Sequence, residues 1–188
     1  MKNMREAWHL IKTDYLRYSP KKYENIRFRD LLLCFSTSNA FRLSCLYRLS
    51  VPIYFRLRPK KFFWIIPSFL FELTRFLTGS EIDPRAEIGE GLKIIHGVGI
   101  IIGIEVKIGK NAYVYNDITI GYKNIDDEGT GQAKIGDNVR IGTGARLLGN
   151  ITLGNNVVIG ANAVVTRSFP DNVVLGGVPA KIIKYIDA

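Results

Sequence analysis

Cysteine is scarce in this chain: of 188 residues only Cys34 and Cys45 carry a thiol. They lie eleven apart in a stretch that reads as helix, which is neither a disulfide framework nor a zinc spacing. A reduced, cytoplasmic chain with no metal site is the expectation. Histidine is equally scarce, with His9 and His96 alone. The amino terminus, MKNMREAWHLIKTDY, is broken by charges and lacks the apolar stretch of a secretory signal. Acidic residues are short in one part only. Residues 1–79 hold 15 Lys+Arg against 5 Asp+Glu, whereas residues 80–188 hold 11 against 12. The formal charge of +9 therefore belongs to the first part, and such asymmetry points to a polyanionic partner. That part has no recognised nucleic-acid motif, which leaves an anionic membrane surface or a solvated helical face.

A long apolar run is also missing. KKFFWIIPSFLFELTRFLTG, residues 60–79, comes nearest. A bilayer span needs about 20 predominantly apolar residues. Here Pro67 breaks the run, and Glu72 and Arg75 interrupt its end. Two readings stand. One is an interfacial helix, with Arg56, Arg58, Lys60 and Lys61 just before the aromatics Phe62, Phe63, Phe69 and Phe76. The other is a helix packed on the rest of the protein or on a sister subunit. Upstream, Trp8, Ile11, Tyr15 and Leu16 share one face of a first helix. Thr37 or Ser38 caps a second, which carries Phe41, Leu43, Leu46, Tyr47 and Leu49 and is limited by Pro52 and Pro59.

What is abundant lies further on. Every sixth residue is aliphatic: Ile82, Ile88, Ile94; then, after a shift of two, Ile102, Ile108, Val114, Ile120; then, after an interruption, Ile135, Ile141, Leu147, Leu153, Ile159, Val165. Glycine follows directly at 89, 103, 109, 121, 136, 142, 154 and 160. Neither a helical period nor strand alternation gives these registers. A hexapeptide β-helix does: each unit is a short strand and a turn, three units close a coil, and stacked coils bury the aliphatic columns. Glycine beside the column is expected to permit the tight corner. The expected class is mainly β, a parallel β-helix over 80–188 preceded by an α-helical part over 1–79. The interruption, YKNIDDEGTGQAK at 122–134, is polar and must leave the β-helix and return. Lying about one coil beyond His96, it is expected to cover that residue.

EIDPRAEIGEGLKIIHGVGIIIG (81–103), DITIG (117–121), AKIGDNVRIGTGARLLGNITLGNNVVIGANAVV (133–165) and GGVPAKIIK (176–184) resemble the left-handed β-helix acyltransferases. The IHGVG insertion and the closing GVPAK resemble the serine acetyltransferase branch and its sister enzymes that acetylate capsule and exopolysaccharide sugars. The resemblance implies left-handed coils, a homotrimer with sites between neighbouring β-helices, extended to a hexamer in serine acetyltransferases, and acetyl-CoA as co-substrate rather than a permanent cofactor. It gives His96 the role of general base, and a neutral imidazole can take a hydroxyl proton near neutral pH. It gives Thr143, Ala161, Gly121 and Tyr122 the pantetheine arm and thioester, and Arg167, Lys181 and Lys184 the nucleotide phosphates.

Three departures accompany it. Serine acetyltransferases have an aspartate directly before this histidine, where this chain has Ile95. Asp117, Glu105 or a backbone carbonyl is left to orient the imidazole. They also carry an Arg-His-Pro before the Lys-Ile that re-enters the β-helix, and the arginine grips the amino acid's carboxylate. Here the same place reads Gly131, Gln132 and Ala133, with Lys123 and Lys134 the loop's basic residues. Those enzymes run on to a tail that docks into cysteine synthase, whereas the residues here run to Asp187-Ala188, and no such docking is expected. These losses shift the expectation to an acetyl-CoA-dependent O-acetyltransferase acting on a sugar hydroxyl of a surface polysaccharide or its precursor, cytoplasmic or peripheral on the inner membrane face. A serine O-acetyltransferase and a non-catalytic β-helix scaffold are the alternatives.

Overall fold

The computed structural model describes residues 3–59, 63–124 and 131–186. Lys60, Lys61 and Phe62 of the basic–aromatic run, and residues 125–130 of the loop, lie outside the described residues. Helix α1 spans Met4–Leu16, and the Asn3 side chain caps it by accepting from the Glu6 N–H at 2.9 Å. Ala7, Leu10, Ile11, Asp14 and Tyr15 form its buried stripe. Trp8, expected on that face, points outward at 39 % exposure and stacks on Phe28 instead. After a single 3-10 turn at Tyr23–Asn25 comes α2, Phe28–Thr37, which carries the half-buried Cys34. Helix α3 spans Asn39–Leu57, and Ser38 caps it through the Phe41 N–H at 3.2 Å. It runs through Pro52, the first limit read from sequence, and ends at Leu57, short of the second, Pro59. Its Cys45 thiol is free and buried, and burial pushes that group well above its ordinary pKa.

Helix α4 spans Ile65–Thr78 and ends on Gly79, whose φ of 66° suits a residue without Cβ. Pro67 does not break it. It sits in the first turn, where a backbone N–H has no intrahelical partner to lose. Pro67, Thr74 and Thr78 are buried, while Phe63, Trp64, Ile65, Ile66, Phe69, Phe76 and Leu77 are exposed. Among the described residues no helix is long and apolar enough to cross a membrane.

From Glu81 the chain coils into a triangular prism of short parallel strands. The first face stacks β1 (Glu81–Ile82), β4 (Ile101–Ile102), β7 (Thr119–Gly121), β10 (Arg146–Leu148) and β13 (Val164–Val165). The second stacks β2 (Glu87–Ile88), β5 (Lys107–Ile108), β8 (Lys134–Ile135) and β11 (Thr152–Leu153). The third stacks β3 (Lys93–Ile94), β6 (Tyr113–Val114), β9 (Arg140–Ile141), β12 (Val158–Ile159) and β14 (Val173–Gly176), with β15 (Lys181–Tyr185) antiparallel on β14. All thirteen aliphatics of the hexapeptide columns point inward and are buried. The column of the first face runs Ile82, Ile102, Ile120, Leu147, Val165.

Glycine at the corners acts differently from the expectation. The glycines directly after the columns have no positive φ; left-handed turn positions go to Asn111, Asn138, Asn156, Asn162 and Asn172, to Glu105 and Asp117, and to other glycines such as Gly91, Gly99 and Gly144. A Cβ on Gly109 would stand 2.7 Å from the Gly136 backbone, and one on Gly89 2.7 Å from that of Gly109. Glycine is needed there because neighbouring coils touch backbone to backbone.

The helices close the lower end of the prism, where the first coil has no strand beneath it. Its downward backbone groups are met by side chains instead. The Tyr18 hydroxyl donates to Ile94 O (3.0 Å) and accepts from Ile94 N–H (2.8 Å). Tyr47 donates to Ala86 O (2.7 Å), and Arg48 to Ile88 O (2.5 Å) and Gly89 O (2.6 Å). Asp14 accepts from Leu92 N–H (2.9 Å), and Ser80 from Ile100 N–H (3.1 Å).

Candidate active site

His96 lies on the edge that joins the third face to the first. The step from Ile82 to Ile102 is two residues longer than the step from Ile102 to Ile120, and the extra length falls in the turn between β3 and β4. His96 takes φ 53° there, and its ring is exposed with no hydrogen bond among the described residues. The turn itself is clamped from below. Asn39 donates to Gly97 O (2.6 Å) and Thr78 O (3.0 Å), and Ser80 donates to Gly97 O (3.3 Å). A Cβ on Gly97 would stand 2.7 Å from Ala40 Cα, so only glycine lets the start of α3 pack against the turn. The result is an immobilised backbone with a free imidazole projecting from it.

The next coils continue the same edge. Asp117 stacks on the turn: its N–H donates to Val98 O at 2.9 Å, and a Cβ on Gly99 would meet Asp117 Cα at 3.2 Å. The Asp117 carboxylate does not orient His96. It is paired with Arg146, whose Nη2 donates to Asp117 Oδ1 at 3.1 Å and whose Nη1 donates to Asp117 O. Above it, Thr143 bonds Asn116 through its hydroxyl (3.1 Å), and Asn162, beside Ala161, donates its N–H to Thr143 O (2.8 Å). Thr143 and Ala161 thus line the His96 edge. A groove lined by Arg75, Phe76, Gly99 and Ile101 opens between α4 and the first face beside this turn.

Other expected site residues stand elsewhere. Glu105, exposed at φ 57°, sits on the edge between the first and second faces, so the width of the first face separates it from His96. Gly121, Tyr122 and Lys123 leave from that same distant edge, and Gln132 and Lys134 return to it. The described ends of the loop thus stand across the first face from that chain's own His96, and the middle that the expectation concerned, residues 125–130, lies outside the described residues. Gln132 is buried at 3 % exposure, and its carboxamide has no hydrogen-bond partner among the described residues. Arg167 lies beyond β13, with its guanidinium over the Phe169 ring. Lys181 and Lys184 are exposed on β15. No cluster of three metal-ligating side chains occurs among the described residues.

Arg146 is the residue that sequence reasoning missed. Its signal was available: it directly precedes Leu147 of the column, so the repeat alone puts it outward on the first face.

Residues 132–167 match the family described as bacterial transferase hexapeptide (six repeats). The serine acetyltransferase of Staphylococcus xylosus is 43 % identical over 125 residues, which is 66 % of this chain and 57 % of that protein. The chain thus spans less than two thirds of the curated relatives it matches. Among solved structures, serine acetyltransferase from Neisseria gonorrhoeae superposes with a TM-score of 0.82 at 27 % identity, covering 98 % of this chain and 67 % of that one. Serine acetyltransferase from Brucella abortus in complex with coenzyme A gives 0.81 at 28 %, covering 98 % and 70 %. These relatives are named for serine, which overturns the expected sugar acceptor and the polysaccharide role built on it. Its repeats and coil topology make the chain a left-handed parallel β-helix of hexapeptide repeats, similar in fold and sequence to these serine acetyltransferases.

Proposed function

We propose that this chain is a serine O-acetyltransferase that uses acetyl-CoA as co-substrate. The observation that carries this reading is the free imidazole of His96 on a clamped turn, on the edge that also holds Thr143 and Ala161. Relatives named serine acetyltransferase support it. His96 takes the proton of the serine hydroxyl as the oxygen attacks the thioester carbonyl. The tetrahedral carbon then expels the CoA thiolate, and the proton on His96 passes to the sulfur. A corner N–H steadies the oxyanion. No acyl-enzyme is needed.

The donor reading divides between two edges. Thr143 and Ala161 would hold the pantetheine arm on the His96 edge. Gly121 and Tyr122, with Lys123, Gln132 and Lys134, belong to the opposite edge of the first face. A second copy standing beside the first would bring one chain's loop to the other's His96, so a homotrimer is part of the proposal. Lys181, Lys184 and Arg167 would meet the nucleotide phosphates. The reaction is placed in the cytoplasm, where acetyl-CoA is made.

The test is thiol release from acetyl-CoA with L-serine. Turnover by the unaltered chain and a fall on the order of 10²- to 10⁴-fold in His96→Ala are expected. Undiminished turnover in His96→Ala would sink the mechanism. A chain that acetyl-CoA protects against heat but that releases no thiol with serine would sink the acceptor.

A further inference from the structure

Serine reaches its enzyme as a zwitterion, so its site needs a cation for the carboxylate and an anion for the ammonium. We infer that the Asp117–Arg146 pair reads this head group, with Arg146 holding the carboxylate and Asp117 the ammonium. The inference rests on the serine reading above.

Placement is the first ground. The outward strand positions of the first face in successive coils are Glu81, Ile101, Thr119, Arg146 and Val164, and Arg146 is the only cation among them. Neighbouring strands stand about 4.8 Å apart. Arg146 springs two strands above Ile101, but its contacts with Asp117 draw the guanidinium down to the level directly above the His96 turn. A small amino acid spans that gap, with its hydroxyl toward the imidazole and its head group toward the pair.

Unused bonding capacity is the second ground. Arg146 meets Asp117 through Nη1 and Nη2, and Nη1 also lies 3.4 Å from Ala145 O. The Nε–H and the second Nη2 hydrogen have no partner among the described residues. They point in parallel from one edge of the guanidinium, the fork that matches a carboxylate. Asp117 has one oxygen engaged, by Nη2, and the other without a partner among the described residues. The pair is net neutral, as its ligand is, and both side chains are partly open, at 34 % and 59 %.

The other cation bordering this groove is already occupied. Arg75, which borders the groove below the turn, is paired with Glu72 at 3.1 Å and with Glu81 at 3.1 Å. At the loop position where a carboxylate-binding arginine would be sought, the residues are Gly131, Gln132 and Ala133.

The experiment compares L-serine with L-serinamide, which lacks the carboxylate, in the unaltered chain and in Arg146→Gln. The unaltered chain should prefer serine. Arg146→Gln should raise the KM for serine on the order of 10- to 100-fold, leave the KM for acetyl-CoA in place, and erase the preference over serinamide. Asp117→Asn should raise the KM for both acceptors, since both carry the ammonium. An Arg146→Gln chain that loses both acceptors equally, or loses acetyl-CoA instead, would overturn the inference while leaving the serine reading intact. Should Arg146→Gln not fold, Arg146→Lys keeps the charge without the fork, and retained full preference for serine in it would also overturn the inference. Absence of serine turnover in the unaltered chain would overturn both readings.

Discussion

At the scale of single residues, the site depends on one glycine as much as on its histidine. On the proposed reading His96 is free to act because the backbone just after it is held at Gly97 O, by Asn39 and Ser80, rather than through the ring. Gly97 makes that clamp possible, since any Cβ would stand 2.7 Å from Ala40 Cα. The obstacle is backbone, so it cannot swing aside. Gly97→Ala should therefore push α3 from the turn, cut kcat with serine by about tenfold or more, and lower stability by roughly 1–3 kcal/mol. Thermal melting and steady-state rates on the same sample would show both changes. His96 itself was legible in the sequence, because it interrupts a period that every neighbour obeys. Glu105 is set apart from His96 by the same period. It lies three residues before Ile108, at the next edge of the prism, and counting along the column would have separated the two. Gln132 was legible only as a departure from a family pattern. Its burial arises from the surrounding fold, which no period encodes.

Among the elements, the decisive contacts are those by which α1 and α3 close the first coil. Asp14 and Arg48 are both fully buried, and every charge-bearing edge of the pair is bonded. Asp14 accepts from Ser44 (2.6 Å), Arg48 Nε (3.0 Å) and Leu92 N–H, while Arg48 reaches on to two carbonyls of the first coil. Asp14→Ala leaves an unpaired guanidinium in the interior and should cost about 3–5 kcal/mol in denaturant unfolding. The sequence hid this because a charged residue at one helical position reads as solvent-facing, and Trp8 reads as core. Asp14's partner, Arg48, lies more than thirty residues away, and Trp8 is drawn outward onto Phe28, itself in another helix.

The same junction sets the alkaline limit. Burial pushes the Tyr47 phenol up to about 12, and burial raises Tyr18 further still. A folded-state pKa above the unfolded value of about 10 means that the stabilisation is complete below pH ~10 and disappears as pH climbs through ~12. Stability should then fall steeply over that window. Tyr47→Phe should lose about 1 kcal/mol at neutral pH, from the bond to Ala86 O, and show a shallower alkaline fall. Chemical unfolding at about pH 9 and about pH 11.5 distinguishes the two slopes.

For the whole molecule, the hexapeptide columns made the architecture readable from sequence to the residue. Each strand carries so little local information that only the strict period can specify it. What the period cannot give is which edge meets which neighbour. The single chain leaves an unfinished surface. Val98 is 56 % exposed, Ile101 41 % and Phe76 87 %, and these apolar groups lie on and beside the first face, between the His96 edge and the loop edge. Apolar exposure of this kind beside a half-complete site is what a subunit interface leaves when one copy is viewed alone. The chain is therefore expected to sediment with three times the 21.2 kDa of one copy. Activity should also follow assembly: diluting the protein until the trimer separates should abolish thiol release, and reconcentration should restore it. Substituting Ile101→Lys on the shared face should shift both the sedimentation boundary and the activity to higher protein concentration together, because a buried unpaired ammonium opposes closure of the interface. A monomer that turns over serine at full rate would show that one chain's His96 edge is sufficient and that the loop edge serves another purpose.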